Sequence, residues 1–298
     1  MLGPDSILFI FNPYAIAAYA SGVQVAQIGY EEYPELFTPL AAAQAGDYMV
    51  PLVPYLDERY DPDGDGARES VTVEGTWTEY GGFEDLTVRV GEQTCTVPDT
   101  WYFDHRAMWI HRENASDELA VEVSMENDYR SMFFVDLGGG VPSLAGQTDA
   151  AFEVMWDRDT ERSSLLIPTD PERMILETRM NLLSTYSASR PYRLEESGLP
   201  APLSDWYETD PATYFTLTTA RELHAQRVFR EPELPMGGDV VIPAGEALRI
   251  ARTDGKEHVD LERADGSLVR VVLDVSDVPH RIAGEEESSW FEQLYYAG

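Results

Sequence analysis

The sequence predicts a mainly β, multi-domain protein. Segments of four to seven residues alternate apolar and polar from Ser70 onward, recurring at roughly ten-residue spacing as short strands do. Asp-Gly, Gly-Glu and Gly-Gly pairs separate them with proper turn chemistry. The 11% aromatic content favours pleated, half-buried surfaces. A chain of 298 residues has room for two or three domains. The expected organisation is a short α+β segment over 1–45, an irregular sandwich or partial-propeller β domain over 46–210, and a small C-terminal barrel with a terminal helix over 211–298. No clean internal repeat supports a complete propeller.

Charge narrows the partners. The chain holds 54 acidic and 21 basic residues, a formal charge of −33, and Lys256 is the sole lysine. Nucleic acid and anionic membranes call for clustered Lys and Arg, so both are excluded as partners. A cationic protein or divalent ions suit such a surface. A single cysteine, Cys95, rules out a disulfide framework and any cysteine-based zinc site, and its alternating neighbours Gln93-Thr94-Cys95-Thr96-Val97 mark a buried strand thiol. The apolar run Ile7–Phe11 is too short to span a bilayer and lacks a basic leader and cleavage site, so neither membrane insertion nor an ordinary signal peptide is expected in this chain.

At the N-terminus, Ile7–Phe11 reads as a buried strand. Pro13 starts a short Ala-rich helix, Gly22 stops it, and an alternating strand follows through Tyr30. Glu31–Leu36 and Leu40–Ala45 read as short helices. The wording Phe11-Asn12-Pro13-Tyr14, Ile16-Ala17, Tyr19-Ala20 and Ile28-Gly29-Tyr30 resembles the end of the extracytoplasmic domain of RsiV-type anti-sigma factors, over about residues 6–40. Gly29 stands where that family usually has proline. The resemblance implies an α+β domain whose earlier part and membrane anchor lie upstream, an extracytoplasmic location, and lysozyme binding as one candidate activity.

After a Pro51- and Pro54-bearing linker comes Asp61-Pro62-Asp63-Gly64-Asp65-Gly66-Ala67-Arg68-Glu69. Carboxylates stand at loop positions 1, 3, 5 and 9, with glycine at position 6. A hard cation such as Ca²⁺ takes six to eight oxygens at roughly 2.3–2.6 Å. Asp61, Asp63, Asp65 and Glu69 would supply side chains and Ala67 its carbonyl, the turn being opened by Gly66. Position 12, an acid in EF-hands, is Thr72, and Ser70–Glu74 alternates as a strand. The loop is thus similar to integrin-type calcium loops, and a structural ion is expected. Alternatively, Asp, Gly and Pro make any solvated turn.

Strands then follow at Leu86–Val90 and Thr94–Val97, joined at Gly91-Glu92-Gln93, at Ala107–His111, Leu119–Met125, Met132–Leu137 and Phe152–Trp156, with Met174–Leu182 a strand or short helix. Gly138-Gly139-Gly140 is a turn, not a phosphate loop, because no Gly-Lys-Ser/Thr follows. Ser184–Asp210 reads as an irregular connection carrying Tyr186, Tyr192, Trp206 and Tyr207, which would either cap the sheet domain or line a recognition surface. From Tyr214 the strands resume at 214–218, 222–227, 240–242, 247–252, 258–262 and 268–273. The phrase Ile242-Pro243-Ala244-Gly245-Glu246-Ala247-Leu248, a strand and an Asp-Gly turn is similar to bacterial SH3-like domains, which implies a peptide or cell-wall ligand. Glu285-Glu286-Glu287 starts a helix whose aromatic face docks on the barrel.

Catalysis finds no signature. His105, His111, His224, His258 and His280 form no His-Glu-x-x-His pair, and Gly-x-Ser-x-Gly is absent. The expectation is a non-catalytic, extracytoplasmic binding or sensing protein with a structural Ca²⁺, recognising a protein or cell-envelope ligand. The alternatives are a secreted glycan- or peptidoglycan-directed hydrolase working through a carboxylate pair, and an acidic scaffold for a basic protein such as lysozyme.

Overall fold

The computed structural model describes residues 7–10, 16–20, 23–24, 46–52, 58–152, 154–157, 162–165, 170–209, 216–230 and 237–297. It is mainly β, in several sheets, with no α-helix among the described residues. Two compact units divide it: Met1–Leu176 with Pro191–Ala201, and Glu177–Arg190 with Pro202–Gly298.

The first unit opens with β1 (Ile7–Ile10), β2 (Ile16–Ala20) and β3 (Val23–Gln24). The expected Ala-rich helix is instead the strand β2, antiparallel to β1 with Ile7 opposite Tyr19. Five residues cannot cover the cost of nucleating a helix, whereas a ready β1 edge satisfies their amides at once. Pro13, Gly22 and both further helices, Glu31–Leu36 and Leu40–Ala45, lie outside the described residues.

A four-stranded sheet runs β5 (Glu58–Tyr60), β6 (Glu69–Trp77), β7 (Phe83–Val90) and β8 (Gln93–Val97) in chain order. A five-stranded antiparallel sheet has the order β12-β11-β10-β9-β4, from β4 (Tyr48–Leu52), β9 (Asp104–His111), β10 (Glu118–Ser124), β11 (Arg130–Asp136) and β12 (Ser143–Thr148). The stretch read as a linker therefore includes a strand, and its Pro51 is tolerated because β4 is an edge. Val71, Val73, Leu86, Val88 and Val90 of the first sheet pack on Leu52, Trp109, Leu119, Val121 and Val135 of the second. The opposite face of the five-stranded sheet buries Met49, Met108, Ile110, Ala120, Met132 and Phe134 against Phe152, Leu176, Tyr192 and Leu194. Covered on both faces, β10 is buried nearly throughout, Glu118 and Glu122 included. Stacked sheets, a sandwich, are the outcome. β13 (Ala151–Phe152), β14 (Val154–Asp157) and β15 (Arg162–Leu165) complete this part of the chain.

Met174–Leu182 resolves as a strand, β16 (Met174–Asn181), followed by β17 (Thr185–Leu194), β18 (Pro200–Pro202) and β19 (Tyr207–Thr209). The irregular connection expected over 184–210 is thus largely strand. Its Ser, Pro and Tyr content hid a period-2 pattern in which Tyr186, Ala188, Tyr192 and Leu194 are buried.

The second unit adds β20 (Leu217–Thr218), β21 (Leu223–Val228), β22 (Asp239–Ile242), β23 (Ala247–Thr253), β24 (His258–Glu262) and β25 (Leu268–Val272). Every C-terminal strand expected falls on one of these, although Tyr214 and Phe215 lie outside the described residues. The barrel does not close. The order runs β16-β17-β19-β23-β24-β25-β21-β22, and β20 also pairs β23. The edge of β23 that a barrel would close on is occupied by β19 and β20, and among the described residues β22 ends the sheet, paired with β21. Strands from before residue 210 thus belong with the C-terminal ones, where the sequence places a boundary at 210/211. The last elements are β26 (Arg281–Ile282), β27 (Glu285–Glu286) and one 3-10 turn, Glu287–Ser289, in place of a helix. Trp290 and Phe291 do enter the unit's core.

Candidate metal centre

The acidic loop connects β5 to β6, an antiparallel hairpin with Tyr60 opposite Glu69. Its root is held by Tyr60, which stacks on the buried Trp109 with ring centroids 4.1 Å apart. Within it, Asp61, Asp63 and Asp65 each present a carboxylate oxygen, and the three oxygens lie within 4.8 Å of one another. Backbone amides hold the carboxylates in place. Gly66 N–H donates to Asp61 Oδ2 at 3.0 Å, Asp65 N–H to Asp63 Oδ1 at 3.2 Å, and Ala67 N–H to Asp65 Oδ1 at 2.7 Å. Gly66 has φ +88°, the left-handed region that a side chain disfavours, which is why the chain can fold back on Asp61.

One oxygen of this set lacks a partner. Asp61 Oδ1 is shielded from solvent and receives no hydrogen bond. A shielded carboxylate oxygen without a donor is costly, and a cation among three converging carboxylates would remove both that cost and their mutual repulsion. The donor set, all oxygen, fits a hard ion such as Ca²⁺.

The structure gathers only part of the expected shell. Glu69 is not in the convergence: as the first residue of β6 it is oriented by its pairing, and its Cγ would lie 3.8 Å from a Cβ at Gly91. Its Oε2 is likewise shielded and without a hydrogen bond. Ala67 contributes its N–H to Asp65 Oδ1. A neighbour invisible to sequence reasoning is the Gly138–Gly140 turn, which backs onto Asp63.

The four aromatic binding candidates do not form a surface. Tyr186 and Tyr207 are buried in the core of the second unit and Tyr192 in a core of the first. Trp206 is half-buried, with Arg270 lying 4.3 Å and Arg252 5.0 Å from its ring centroid. The recognition-surface expectation for these residues is corrected on that ground: β17 and β19 turn the tyrosines inward.

A second cluster went unread in the sequence. His111 Nδ1 lies 2.8 Å from Asp117 Oδ1, and Arg112 reaches Glu118 Oε1 at 3.3 Å while donating to the Glu195 carbonyl at 2.7 Å. Burial pushes the Asp117 carboxyl up against the opposing pull of His111. Burial also drives Glu118 up to about 7, Arg112 countering and Asp136 and Asp117 adding. Glu118 Oε2 receives no hydrogen bond. No local motif marks this group, because Asp136 joins it only through β10–β11 pairing opposite Glu118.

Compared with known proteins, residues 1–31 match a family model described as a protein of unknown function, DUF3298. This domain is found in RsiV-like extracytoplasmic proteins. No curated protein and no solved structure matches the chain. Among the described residues no helix is long and apolar enough to cross a membrane.

Proposed function

We propose that this chain is a non-catalytic, extracytoplasmic binding or sensing protein whose first unit is stabilised by one structural Ca²⁺. Asp61, Asp63 and Asp65 bind through their carboxylates, and Glu69 and the Ala67 carbonyl close the shell once the ion is present. The observation that carries this reading is the convergence of the Asp61, Asp63 and Asp65 carboxylates, together with an Asp61 Oδ1 that is shielded and has no hydrogen bond. The ion stabilises by mass action, since only the folded loop presents all its ligands together. The N-terminal match and the similarity to RsiV-type anti-sigma factors support an extracytoplasmic setting, where calcium at millimolar level suits a loop of modest affinity. The ligand is a protein or cell-envelope component.

Thermal melting after EDTA, then with millimolar Ca²⁺ or Mg²⁺, tests the ion. Wild type gains several degrees with Ca²⁺ and far less with Mg²⁺, and Asp63→Ala gains nothing. Equal melting of wild type and Asp63→Ala, with and without Ca²⁺, would falsify the site.

A glycan- or peptidoglycan-directed hydrolase is the second reading, favoured by Glu118. A carboxyl near neutral pKa beside other carboxylates is what a general acid needs. It stands second because Glu118 is only 3% exposed, leaving a substrate little access. Turnover of a glycan or muropeptide panel, lost in Glu118→Gln, would raise it to first.

A further inference from the structure

Glu118 is shut away from water, yet its carboxylate is only half satisfied. It is 3% exposed, Arg112 reaches its Oε1 at 3.3 Å, and its Oε2 is shielded and receives no hydrogen bond. β11 sets Asp136 directly opposite it. The turn before β10 brings Asp117, whose carboxylate lies 2.8 Å from His111 Nδ1. Between β17 and β18, Gly198 closes on Oε2, where a Cβ would stand 3.0 Å away, with Ala145 of β12 alongside. Glu195 of the same connection gives its carbonyl to Arg112 and its carboxylate to Arg193, at 2.7 and 3.6 Å. One arginine thus serves three carboxyl groups, those of Asp117, Glu118 and Asp136. Burial raises the Glu118 carboxyl to about 7, so a proton relieves the crowding up to neutral pH.

A glycine turn joins this cluster to the acidic loop. Asp136 Oδ1 accepts the Gly138 N–H at 3.0 Å, and the Leu137 N–H donates to the Asp117 carbonyl at 2.9 Å. A Cβ at Gly138 would meet Ser116 Cβ at 3.2 Å and the Asp136 carboxylate oxygens at 3.3 and 3.4 Å. At the other end of the turn, the Cβ position of Gly140 lies 3.4 Å from Asp63 Oδ2. Along this path, three residues without side chains separate Asp136 from Asp63. A divalent cation among Asp61, Asp63 and Asp65 favours the ionised form of nearby carboxyl groups, and enclosure keeps salt from screening that field. Such a coupling is reciprocal: what the ion does to the proton, the proton does to the ion.

From this arrangement we infer that Ca²⁺ at Asp61, Asp63 and Asp65 and the proton on Glu118 oppose each other: the ion binds more tightly once Glu118 is ionised, and its arrival expels that proton to solvent. The first unit then reads calcium and acidity together, holding the ion above neutral pH and loosening it below. This rests on the calcium reading and adds the regulation of that site.

The test is isothermal titration calorimetry of the full chain with calcium chloride at about pH 6 and about pH 8. Wild type binds about fivefold more tightly at the higher pH. At about pH 7, titrations in buffers of different ionisation enthalpy count the protons released, about 0.4 per ion bound. Because the charge of the whole chain also changes with pH, a variant identifies the source. In Glu118→Gln the affinity changes less than about twofold over the same range. His111→Gln, which removes the neighbouring imidazole, keeps the wild-type dependence. Far-ultraviolet circular dichroism confirms that each variant is folded, and the proton count reads wild type directly. Equal pH dependence in wild type and Glu118→Gln would overturn the inference, as would tighter binding at the lower pH or no proton release. Those outcomes leave the ion in its site. No Ca²⁺ binding at either pH would instead remove the calcium reading, and this inference with it.

Discussion

Gly140 stands directly behind Asp63: a Cβ at position 140 would lie 3.4 Å from Asp63 Oδ2. The two residues are far apart in sequence, and the contact makes the Gly138–Gly140 turn a wall of the acidic loop. Gly140 also holds φ +71°, so a side chain there is disfavoured by the backbone. Gly140→Ala is expected to cost about 1–2 kcal/mol through the left-handed backbone alone. It should also reduce the Ca²⁺-dependent rise in melting temperature, since the new methyl packs against the Asp63 carboxylate and limits its adjustment to an ion. Paired melts with EDTA and Ca²⁺ check both effects, and an unchanged calcium increment would show that the wall plays no part in the site.

Glu118 gives the protein a pH-dependent term of defined sign. Its carboxyl is raised from 4.5 to about 7 by burial, so the folded state holds a proton that the unfolded chain releases at lower pH. The stability it contributes is complete below about pH 4.5 and is lost as pH rises through about 7, an effect on the order of 3 kcal/mol. Glu118→Gln removes the proton while keeping the shape. The wild-type stability measured relative to this variant should therefore fall between pH 4.5 and 7.5 in urea unfolding. Parallel profiles for the two proteins would place the proton elsewhere.

Asp260 anchors the second unit through charge. It is wholly buried, accepting from Arg252 Nε at 2.7 Å and from Arg270 Nε and Nη2 at 2.7 and 3.0 Å. Arg252 also donates to the Phe229 and Arg230 carbonyls, at 2.7 and 2.6 Å, and so ties the end of β21 to β23. Asp260→Ala leaves two arginines facing an apolar space and should destabilise by about 3–5 kcal/mol. Because the group is enclosed, raising the salt should recover little of the loss. Chemical denaturation at low and high salt measures this. A loss under about 1 kcal/mol would mean the arginines reach water once Asp260 is gone.

Much of the β architecture was legible along the chain. The hairpin at Gly91-Glu92 and the strands of 104–136 and 223–272 announce themselves by alternation and turn residues, because a strand half-buried in a sheet writes its burial into every second residue. β17 was legible too, at Tyr186, Ala188, Tyr192 and Leu194, but its proline and serines disguised it. β2 was not. Its alanines favour a helix by propensity, and only the neighbouring β1 edge makes a strand of them.

The acidic loop shows the same division. That Asp61, Asp63 and Asp65 alternate around tight glycine turns is a local property written along the chain, and their carboxylates do converge. Folding was needed to leave Asp61 Oδ1 without a partner, to set Gly140 behind Asp63, and to bring Glu118 into a buried site with Arg112 and Asp136. It likewise turned Tyr186, Tyr192 and Tyr207 inward and left Trp77 and Tyr80 in water. The reason is physical: turn chemistry and strand period act over a few residues. Solvent exposure and the charges around a carboxyl depend on which strands become neighbours, and pairing is settled by the burial of the whole sheet.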